Sequence, residues 1–427
     1  MSRRTMQTSL EILSEKTQAK ARINTSNNIT PLGVEEFLEA TVNVISFRKL
    51  KNDRALKIYK NTIVNLTSSN EADDIVQLYQ DVYQGNYPYT EMLDLDYLEE
   101  KLKHPDITSL YAYRSKKHHN RIVGCGAVIC DKESRTGYLR GLMLHPNYRD
   151  EIDIKKSVLK TLISGYNRFY DHIDKYYTET RTAHSKAQYL MELIGCRPCA
   201  IFPNKDIFEG KNIRETDCLD VVYTDRALYK YRNSYPILLP CFEELYRYFA
   251  ERYGFEDAIF AEPRIGKYDF FSGKFMDIIT KIFCNISVNR KECRYNRIKY
   301  KIQTESGSKI EFTVTETVKS AEKTIVNVNC IEDLAALLIK VDDIMKEDDI
   351  EYFECYIPAT NPEIQSVFLQ SGFSVFGYVP AWISDSGRQL NDCIIFGKYN
   401  TPLEMGRLRL TYEGNQLLNL LKPFLKK

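Results

Sequence analysis

Two stretches of this sequence follow one plan, and that plan constrains the fold more than any other feature. Residues 183–203, A-H-S-K-A-Q-Y-L-M-E-L-I-G-C-R-P-C-A-I-F-P, match residues 360–380, T-N-P-E-I-Q-S-V-F-L-Q-S-G-F-S-V-F-G-Y-V-P, so that Gln188, Gly195 and Pro203 align with Gln365, Gly372 and Pro380 without a gap. In each, a helical pattern ends on Gly, the residue that most cheaply takes the left-handed turn at a helix C-terminus, and an apolar strand follows. Asp217-Cys218 and Asp392-Cys393 each open a further apolar strand at a slightly different spacing. A chain of 427 residues has room for two domains that each bury a core, and the matched endings predict two copies of one domain.

The elements around these endings fit that expectation. In the first copy a strand carries Val64 and Leu66, and a helix opened by Ser68 or Ser69 places Ile75, Leu78, Tyr79 and Val82 at helical spacing. A helix at Leu93–Leu102 and strands at Ser109–Tyr113, Ile122–Cys130 and Thr136–Leu144 follow, joined by polar turns. A strand at Tyr176–Glu179, a helix at His184–Ile194 and strands at Cys196–Phe202 and Cys218–Tyr223 complete it. The order β-α-α-β-β-β-α-β-α-β-β predicts an α/β fold, a mixed sheet with helices on its faces. The second copy reads as helices at Phe242–Tyr253 and Phe275–Phe283, strands at Ile298–Gln303, Lys309–Glu316 and Thr324–Val328, a helix at Ile331–Met345, a strand at Glu351–Ile357, a helix at Pro362–Ser371, and strands at Phe373–Val379 and Cys393–Lys398. Apart from that second helix, residues 255–295 give no clear pattern, and Asn415–Leu421 reads as a short helix ended by Pro423. The expected domains are 56–230 and 231–427, after a polar extension, 1–55, in which Ser9–Ala21 has only a thin apolar face.

A net charge of +1 spreads no long-range field, and no basic stripe is present, so neither nucleic acid nor a membrane is an expected partner. No apolar run is long enough to span a bilayer, and the first residues lack the apolar core of a signal peptide. Eleven scattered cysteines fit a reducing compartment, and a cytoplasmic location is expected. Cys196 and Cys199 have the spacing of a metal or redox pair, but Phe373 and Phe376 hold the matching positions, so packing thiols and no metal are expected.

From Gly137 to Ile163 the first copy passes from a strand through Pro146 into a helix. The first amides of a helix are unpaired donors at the positive end of its dipole, which suits a diphosphate. On its element order, the strand-Pro-x-Tyr-Arg-helix junction at Leu144–Val158 and the two helix-Gly-strand endings, the chain resembles the GCN5-related N-acetyltransferase (GNAT) superfamily over roughly 56–225 and more faintly over 231–400. The resemblance implies tandem acyl-CoA N-acyltransferase-like domains, the second degenerate. It implies that acetyl-CoA, or another acyl-CoA, lies along Leu142, Met143 and Leu144, with its pyrophosphate on Arg149, Asp150, Glu151, Ile152, Asp153 and Ile154.

The loop departs from the family pattern: Ile152 and Ile154 stand where small residues are expected, and three carboxylates occupy the phosphate position. The proton-transfer positions depart as well. Tyr138 and Arg140 lie on the strand that carries a Glu in many relatives, Met191 takes the place of the thiolate-protonating Tyr with Tyr189 nearby, and His184 replaces an Asn. The resemblance leaves Tyr138, His184 and Tyr189 as catalytic candidates, and Tyr87 and Tyr89, in the loop between the first helices, on the acceptor side. The expected function is an acyl-CoA-dependent N-acyltransferase acting on a small-molecule or protein amine. Its active site would lie in the first copy; the second, whose junction near Asn329–Leu338 lacks the Arg and the glycines, would shape the acceptor cleft. The alternative is a catalytically inactive tandem module that binds a small molecule or a partner protein. The N-terminal extension is an expected protein contact.

Overall fold

The structure, a computed structural model, describes residues 62–208, 213–233, 235–263, 273–384 and 388–425; the expected extension and its helix lie outside these residues. The N-terminal half contains β1 (Thr62–Leu66), α1 (Ala72–Tyr83), α2 (Leu95–Leu102), β2 (Thr108–Ser115), β3 (Arg121–Asp131), β4 (Thr136–Leu144), α3 (Ile154–Phe169), β5 (Lys175–Arg181), α4 (Lys186–Leu193), β6 (Arg197–Ile207) and β7 (Arg214–Tyr223). The short β8 (Ile237–Leu238), α5 (Glu243–Tyr253), β9 (Ile259–Phe260) and α6 (Gly273–Cys284) lead into the C-terminal half. That half contains β10 (Ser287–Cys293), β11 (Arg297–Gln303), β12 (Lys309–Thr315), β13 (Ser320–Asn327), α7 (Ile331–Glu347), β14 (Tyr352–Pro358), α8 (Pro362–Gln370), β15 (Ser374–Ser384) and β16 (Leu390–Tyr399), followed by α9 (Tyr412–Leu421).

Fourteen of these strands form one mixed sheet in the order β1-β2-β3-β4-β5-β7-β6-β15-β16-β14-β13-β12-β11-β10. Within it β4 pairs with β5, and β13 with β14, in parallel; the other neighbours are antiparallel. The strands on either side of the β6–β15 join therefore run in the same order with the same senses. The join is tight. Gly377 faces Ala200, and a Cβ on Gly377 would run into the Cys199 carbonyl and the Ala200 side chain. One apolar core passes through it, holding Cys199, Ile201 and Phe202 together with Tyr352, Phe376 and Ile394. Cys196 and Cys199 are buried free thiols, and burial pushes the Cys199 thiol up to about 12, so both serve as packing groups.

Each half also clamps a segment that follows the other. Gln365 accepts from Leu239 N (2.9 Å) and donates to Ile237 O (2.8 Å), while Ile237 N donates to Ala359 O (2.8 Å). Gln188 accepts from Thr411 N (3.1 Å) and donates to Arg409 O (3.1 Å), while Arg409 N donates to Thr182 O (2.8 Å). Helix α5 starts just beyond the first clamp and α9 just beyond the second. Both glutamines are buried, so each amide satisfies backbone groups that would otherwise be orphaned.

Pro203 and Pro380, read from sequence as strand ends, lie inside β6 and β15. Both strands shift register there, between Phe202 and Asp206 and between Val379 and Ile383. A bulge tolerates a residue with no N–H to give to the ladder. The residue after each proline takes a left-handed conformation, Asn204 at φ 53° and Ala381 at φ 49°. The bulges turn the next side chains, Lys205 and Trp382, towards the centre of the molecule, where Lys205 meets the second half and Trp382 the first. Strand β10 gave no sequence signal because all but its last residue are exposed and it has no apolar face. Helix α4 begins at Lys186, which leaves His184 ahead of it and exposed.

Replacing either clamp, Gln188→Leu or Gln365→Leu, strands buried backbone groups. Each is expected to lower unfolding free energy by about 2–3 kcal/mol, read from denaturant midpoints, with the two losses similar in size.

Candidate functional site

Strands β4 and β5 pair for three residues only, Thr136–Tyr138 against Lys175–Tyr177. Beyond Tyr138 they part. Residues Leu139–Leu144 stay paired with β3 on one side, and among the described residues no strand pairs with their β5-facing edge. The parting is helped by a register shift opposite Cys125–Ala127, with Gly141 at φ 63° and its carbonyl accepting from Cys125 Sγ (3.5 Å). A side chain at Gly141 would meet the Tyr79 hydroxyl. Met143 is buried and Leu142 and Leu144 are half-buried, so this stretch offers a ligand main-chain groups more than side chains.

The turn after β4 commits its own donors. Arg149 N bonds to Pro146 O (3.4 Å), and Glu151 N and Ile152 N both bond to Tyr148 O (3.1 and 3.2 Å). Asp153 is the N-cap of α3, its Oδ1 accepting from Lys156 N (3.2 Å). The Ile152 side chain is buried, filling space that a glycine would leave. Glu151 pairs with His118 (3.1 Å), and Arg149 and Asp150 point to solvent. Ile154 packs against the apolar core as the first residue of α3. The donor set here suits helix capping. It fits a diphosphate poorly, because a carboxylate already sits at the positive end of the helix.

The three catalytic candidates do not converge. Tyr189 is exposed on α4 with Lys155 of α3 over its ring at 5.5 Å, and Met191 is a core residue. His184 is exposed. Tyr138 lies on the opposite side of the strand pair from that core, stacked on Tyr177 (4.8 Å, 14°), and burial holds its phenol well above the usual range. Tyr87 is buried against Tyr79 and Tyr83 at 4.9 and 4.6 Å. Tyr89 reaches across to β6, its hydroxyl donating to both carboxylate oxygens of Asp206 (3.0 Å each), with the Arg140 guanidinium over its ring at 4.9 Å. The loop that carries Tyr87 and Tyr89 is held from both halves: Glu91 takes Arg140 (3.4 Å) and Arg297 (2.6 Å), and Thr317 donates to Pro88 O (3.0 Å).

What the sequence did not reveal is the cluster at the centre of the sheet. Lys205 is 1% exposed at its side chain, and its ammonium lies 3.0 Å from Glu179 of β5, 3.1 Å from Glu354 of β14 and 3.5 Å from Glu322 of β13. It also lies over the Phe202 ring at 4.4 Å. Tyr352 donates to Glu354 at 2.5 Å. Burial opposes the Lys205 charge, but Glu179, Glu322 and Glu354 hold its pKa well above the ordinary value. Burial pushes Asp206 and Glu354 up to about 7, with Glu322 adding to it and Lys205 opposing. Beside this cluster stands a row of rings: Trp382 is edge-on to Tyr177 at 5.1 Å and stacked on Tyr356 at 5.8 Å. Lys175, fully buried, donates to Ala381 O (2.9 Å) and Trp382 O (2.7 Å), and burial lowers its pKa to about 7. The one available sequence signal was the bulge pair, Pro203 and Pro380, each followed two residues later by the side chain it aims inward.

Two shallow cavities, about 210 and 250 Å³, lie in the C-terminal half at the α7–α8 and α6–α7 surfaces and border neither β4 nor this cluster. Among the described residues no helix is long and apolar enough to cross a membrane, and no group of His, Cys, Asp and Glu is arranged to hold a metal.

No known protein-family description matches the sequence, and no curated protein matches it. Similar solved structures include the ribosomal-protein-S5-alanine acetyltransferase of Vibrio fischeri, 12% identical, covering 39% of this chain and 94% of that one with a TM-score of 0.33. A probable acetyltransferase from Staphylococcus epidermidis is 15% identical, with 38% and 99% coverage and a TM-score of 0.32. A mutant of the spermidine N-acetyltransferase SpeG from Vibrio cholerae is 13% identical, with 39% and 96% coverage and a TM-score of 0.32. Likeness at this level decides neither activity nor substrate.

Two outcomes follow from the buried cluster. Asp206 and Glu354 have folded pKa values raised above those of unfolded acids, so folding takes up protons between about pH 4 and 7, and stability is lost as pH rises through about 7. Urea unfolding from pH 5 to pH 8 is expected to show that fall, and Asp206→Asn to flatten it. Lys205→Met removes the ammonium and is expected to cost about 3–5 kcal/mol at pH 8, less at pH 5, where Asp206 and Glu354 are neutral.

Proposed function

We propose that the protein is an acyl-CoA-dependent N-acyltransferase made of two GNAT-like units, 56–230 and 231–427, with the reaction in the first and the second, degenerate unit closing the acceptor side. The observation that carries this reading is the parting of β4 from β5 after Tyr138. A thioester arm could pair with the free edge of Leu139–Leu144 through backbone groups alone, and such contacts survive changes of side chain. The carboxylates and rings of the seam begin where the strands part, with Tyr138 stacked on Tyr177 and Glu179 two residues further on, so an amine held beside them would face the thioester. Its nitrogen would attack the carbonyl carbon; the C–N bond forms, the C–S bond breaks, and the electron pair leaves on the CoA sulfur. Positioning and desolvation supply most of such a rate enhancement. Glu179, two residues beyond the last β4–β5 pair and on the face of Tyr177, is the group we assign to take the ammonium proton, directly or through water. Met191 cannot protonate the leaving thiolate, and solvent would do so. The N-terminal extension as a protein contact and a cytoplasmic location belong to the same reading.

A second reading has its own support. The Asp153 cap and the buried Ile152 side chain oppose a diphosphate at the start of α3, which favours an inactive module that has lost the cosubstrate and binds a small molecule or a partner protein. Calorimetry with acetyl-CoA separates the two. Asp153→Asn keeps a capping side chain and removes its charge, so it is expected to tighten acetyl-CoA binding about fivefold, on the order of 1 kcal/mol. If neither the wild type nor this variant binds acetyl-CoA or a longer acyl-CoA at about 5 mM, the transferase reading falls and the module reading stands.

A further inference from the structure

We propose that the bare, basic side of β10–β13 docks a second copy of this chain, with the acidic outer side of α2 from each copy lying on the basic sheet of the other. The proposal goes beyond the transferase reading and does not rest on it.

Comparison of the two halves locates the surface. Strands β1 and β2 hold the places in the first half that β10 and β11 hold in the second, each pair antiparallel and at one edge of the sheet. Between β1 and β2 the chain makes α1 and α2, whose apolar sides cover Leu110 and Ala112 of β2. Between β10 and β11 it makes only a turn, residues 294–296. One side of β11 is filled all the same: Ile298, Tyr300 and Ile302 belong to the core under α7. The alternate residues, Lys299 and Lys301, take the side that Leu110 and Ala112 take in the first half. Both lysines are exposed, as are Lys291 of β10 and Ile325 of β13 on the same side, so no other described element lies over them.

The charge of this floor calls for a partner. Lys291 stands directly opposite Lys299, and Lys301 follows two residues on. Like charges directly opposite each other weaken a sheet. Among the described residues none of the three ammoniums has an ion-pair partner, and Glu311, opposite Lys301, is taken by Lys309 (2.8 Å). A strand of nucleic acid is the less suitable occupant, because the outward side chains of the floor include no ring on which a base could stack.

The chain itself carries the complement. Its net charge is only +1, so this excess is balanced elsewhere on its surface. On α2 Asp96 and Glu100 are exposed one helical turn apart, with the exposed Leu95 beside them. Glu100 also meets Lys103 and His104 (3.2 Å each), but such solvated pairs exchange readily. Helix α2 borders the floor within its own chain: the Tyr97 ring lies 5.3 Å from that of Tyr295, whose hydroxyl donates to Asp94 (2.9 Å). The molecule thus has a step, with a helix layer over the first half and bare sheet over the second. Two such steps related by a twofold axis interlock, each α2 resting on the floor of the other copy.

The area suffices. Four strands of seven or eight residues, about 4.8 Å apart with about 3.3 Å per residue, make a floor of about 440 Å². Each copy contributes that floor and a matching area of helix, about 900 Å², against the ~800 Å² per partner of an ordinary stable interface.

The test is sedimentation of the full chain at about 100 µM, in about 50 mM and about 500 mM salt. The wild type is expected to run as a dimer at low salt and to dissociate at high salt. The double variants Lys299→Glu/Lys301→Glu and Asp96→Lys/Glu100→Lys are each expected to weaken the dimer about tenfold or more. All four side chains are exposed, so the folds are expected to survive, as circular dichroism checks; Lys299→Gln/Lys301→Gln replaces the first variant if charge reversal unfolds it, with the same loss expected in smaller measure. An equimolar mixture of the two charge-reversed variants is expected to restore the dimer, because the mixed pair has one wild-type contact and one with both charges exchanged. A wild type that is monomeric at low salt, a dimer that tolerates the lysine substitutions, or a mixture that stays monomeric overturns the proposal. A monomeric wild type that binds an oligonucleotide through these lysines gives the surface to nucleic acid and overturns it as well.

Discussion

The arrangement of the molecule depends on one buried ammonium. Lys205 is almost wholly removed from water and is held by Glu179 of its own half and by Glu322 and Glu354 of the other. A charge in that position is tolerated only with partners, and partners in that position are tolerated only with the charge. The contact therefore does more than add attraction at the join. It fixes how the two halves face each other, because three carboxylates from two halves must meet one point. The apolar core across the join could tolerate small slides; a buried ion cluster tolerates far less.

The same cluster shows how the two halves build the seam together. The bulges at Asn204 and Ala381 cost backbone strain, since neither residue is glycine and both take left-handed angles. In exchange Lys205 is aimed into the C-terminal half and Trp382 into the N-terminal half. Lys175 then donates to the carbonyls of the Ala381 bulge. Each half thus supports the bulge or the side chain of the other. The clamps at Gln188 and Gln365 and the exchanged helices α5 and α9 bind the halves by the same reciprocal logic. Against this rigid centre, the turn at 149–153 is notable for what it satisfies by itself. Its helix start is capped by Asp153, so any diphosphate there must compete with a carboxylate that costs nothing to keep.

Much of the fold was legible, and the reason is local. Strand β4 has the bounds the sequence predicted, Thr136–Leu144, because polar turns frame an apolar run. The Gly195 and Gly372 helix ends, with φ of 99° and 76°, were readable because only glycine takes such angles cheaply. The centre was not legible. Glu179 and Glu354 each look like an isolated acid in a strand, and only the register of a fourteen-stranded sheet brings them together. Pro203 and Pro380 were read as stops because proline usually ends a strand; in a bulge it does not. Strand β10 was missed because exposure left it with no periodicity. The sequence set Tyr89 in the loop between the first two helices but gave no sign of its partner, Asp206, which lies more than a hundred residues away.

The central claim is that acyl transfer occurs at the seam, using groups of both halves. The most direct measurement is release of CoA thiol from acetyl-CoA with a primary alkylamine present, comparing the wild type with Glu322→Gln, a substitution confined to the second half. The account predicts thiol release that requires the amine and falls in the variant through a raised KM for the amine. Thiol release that is independent of the amine, or unchanged in a folded Glu322→Gln protein, would contradict it, as would no release at all.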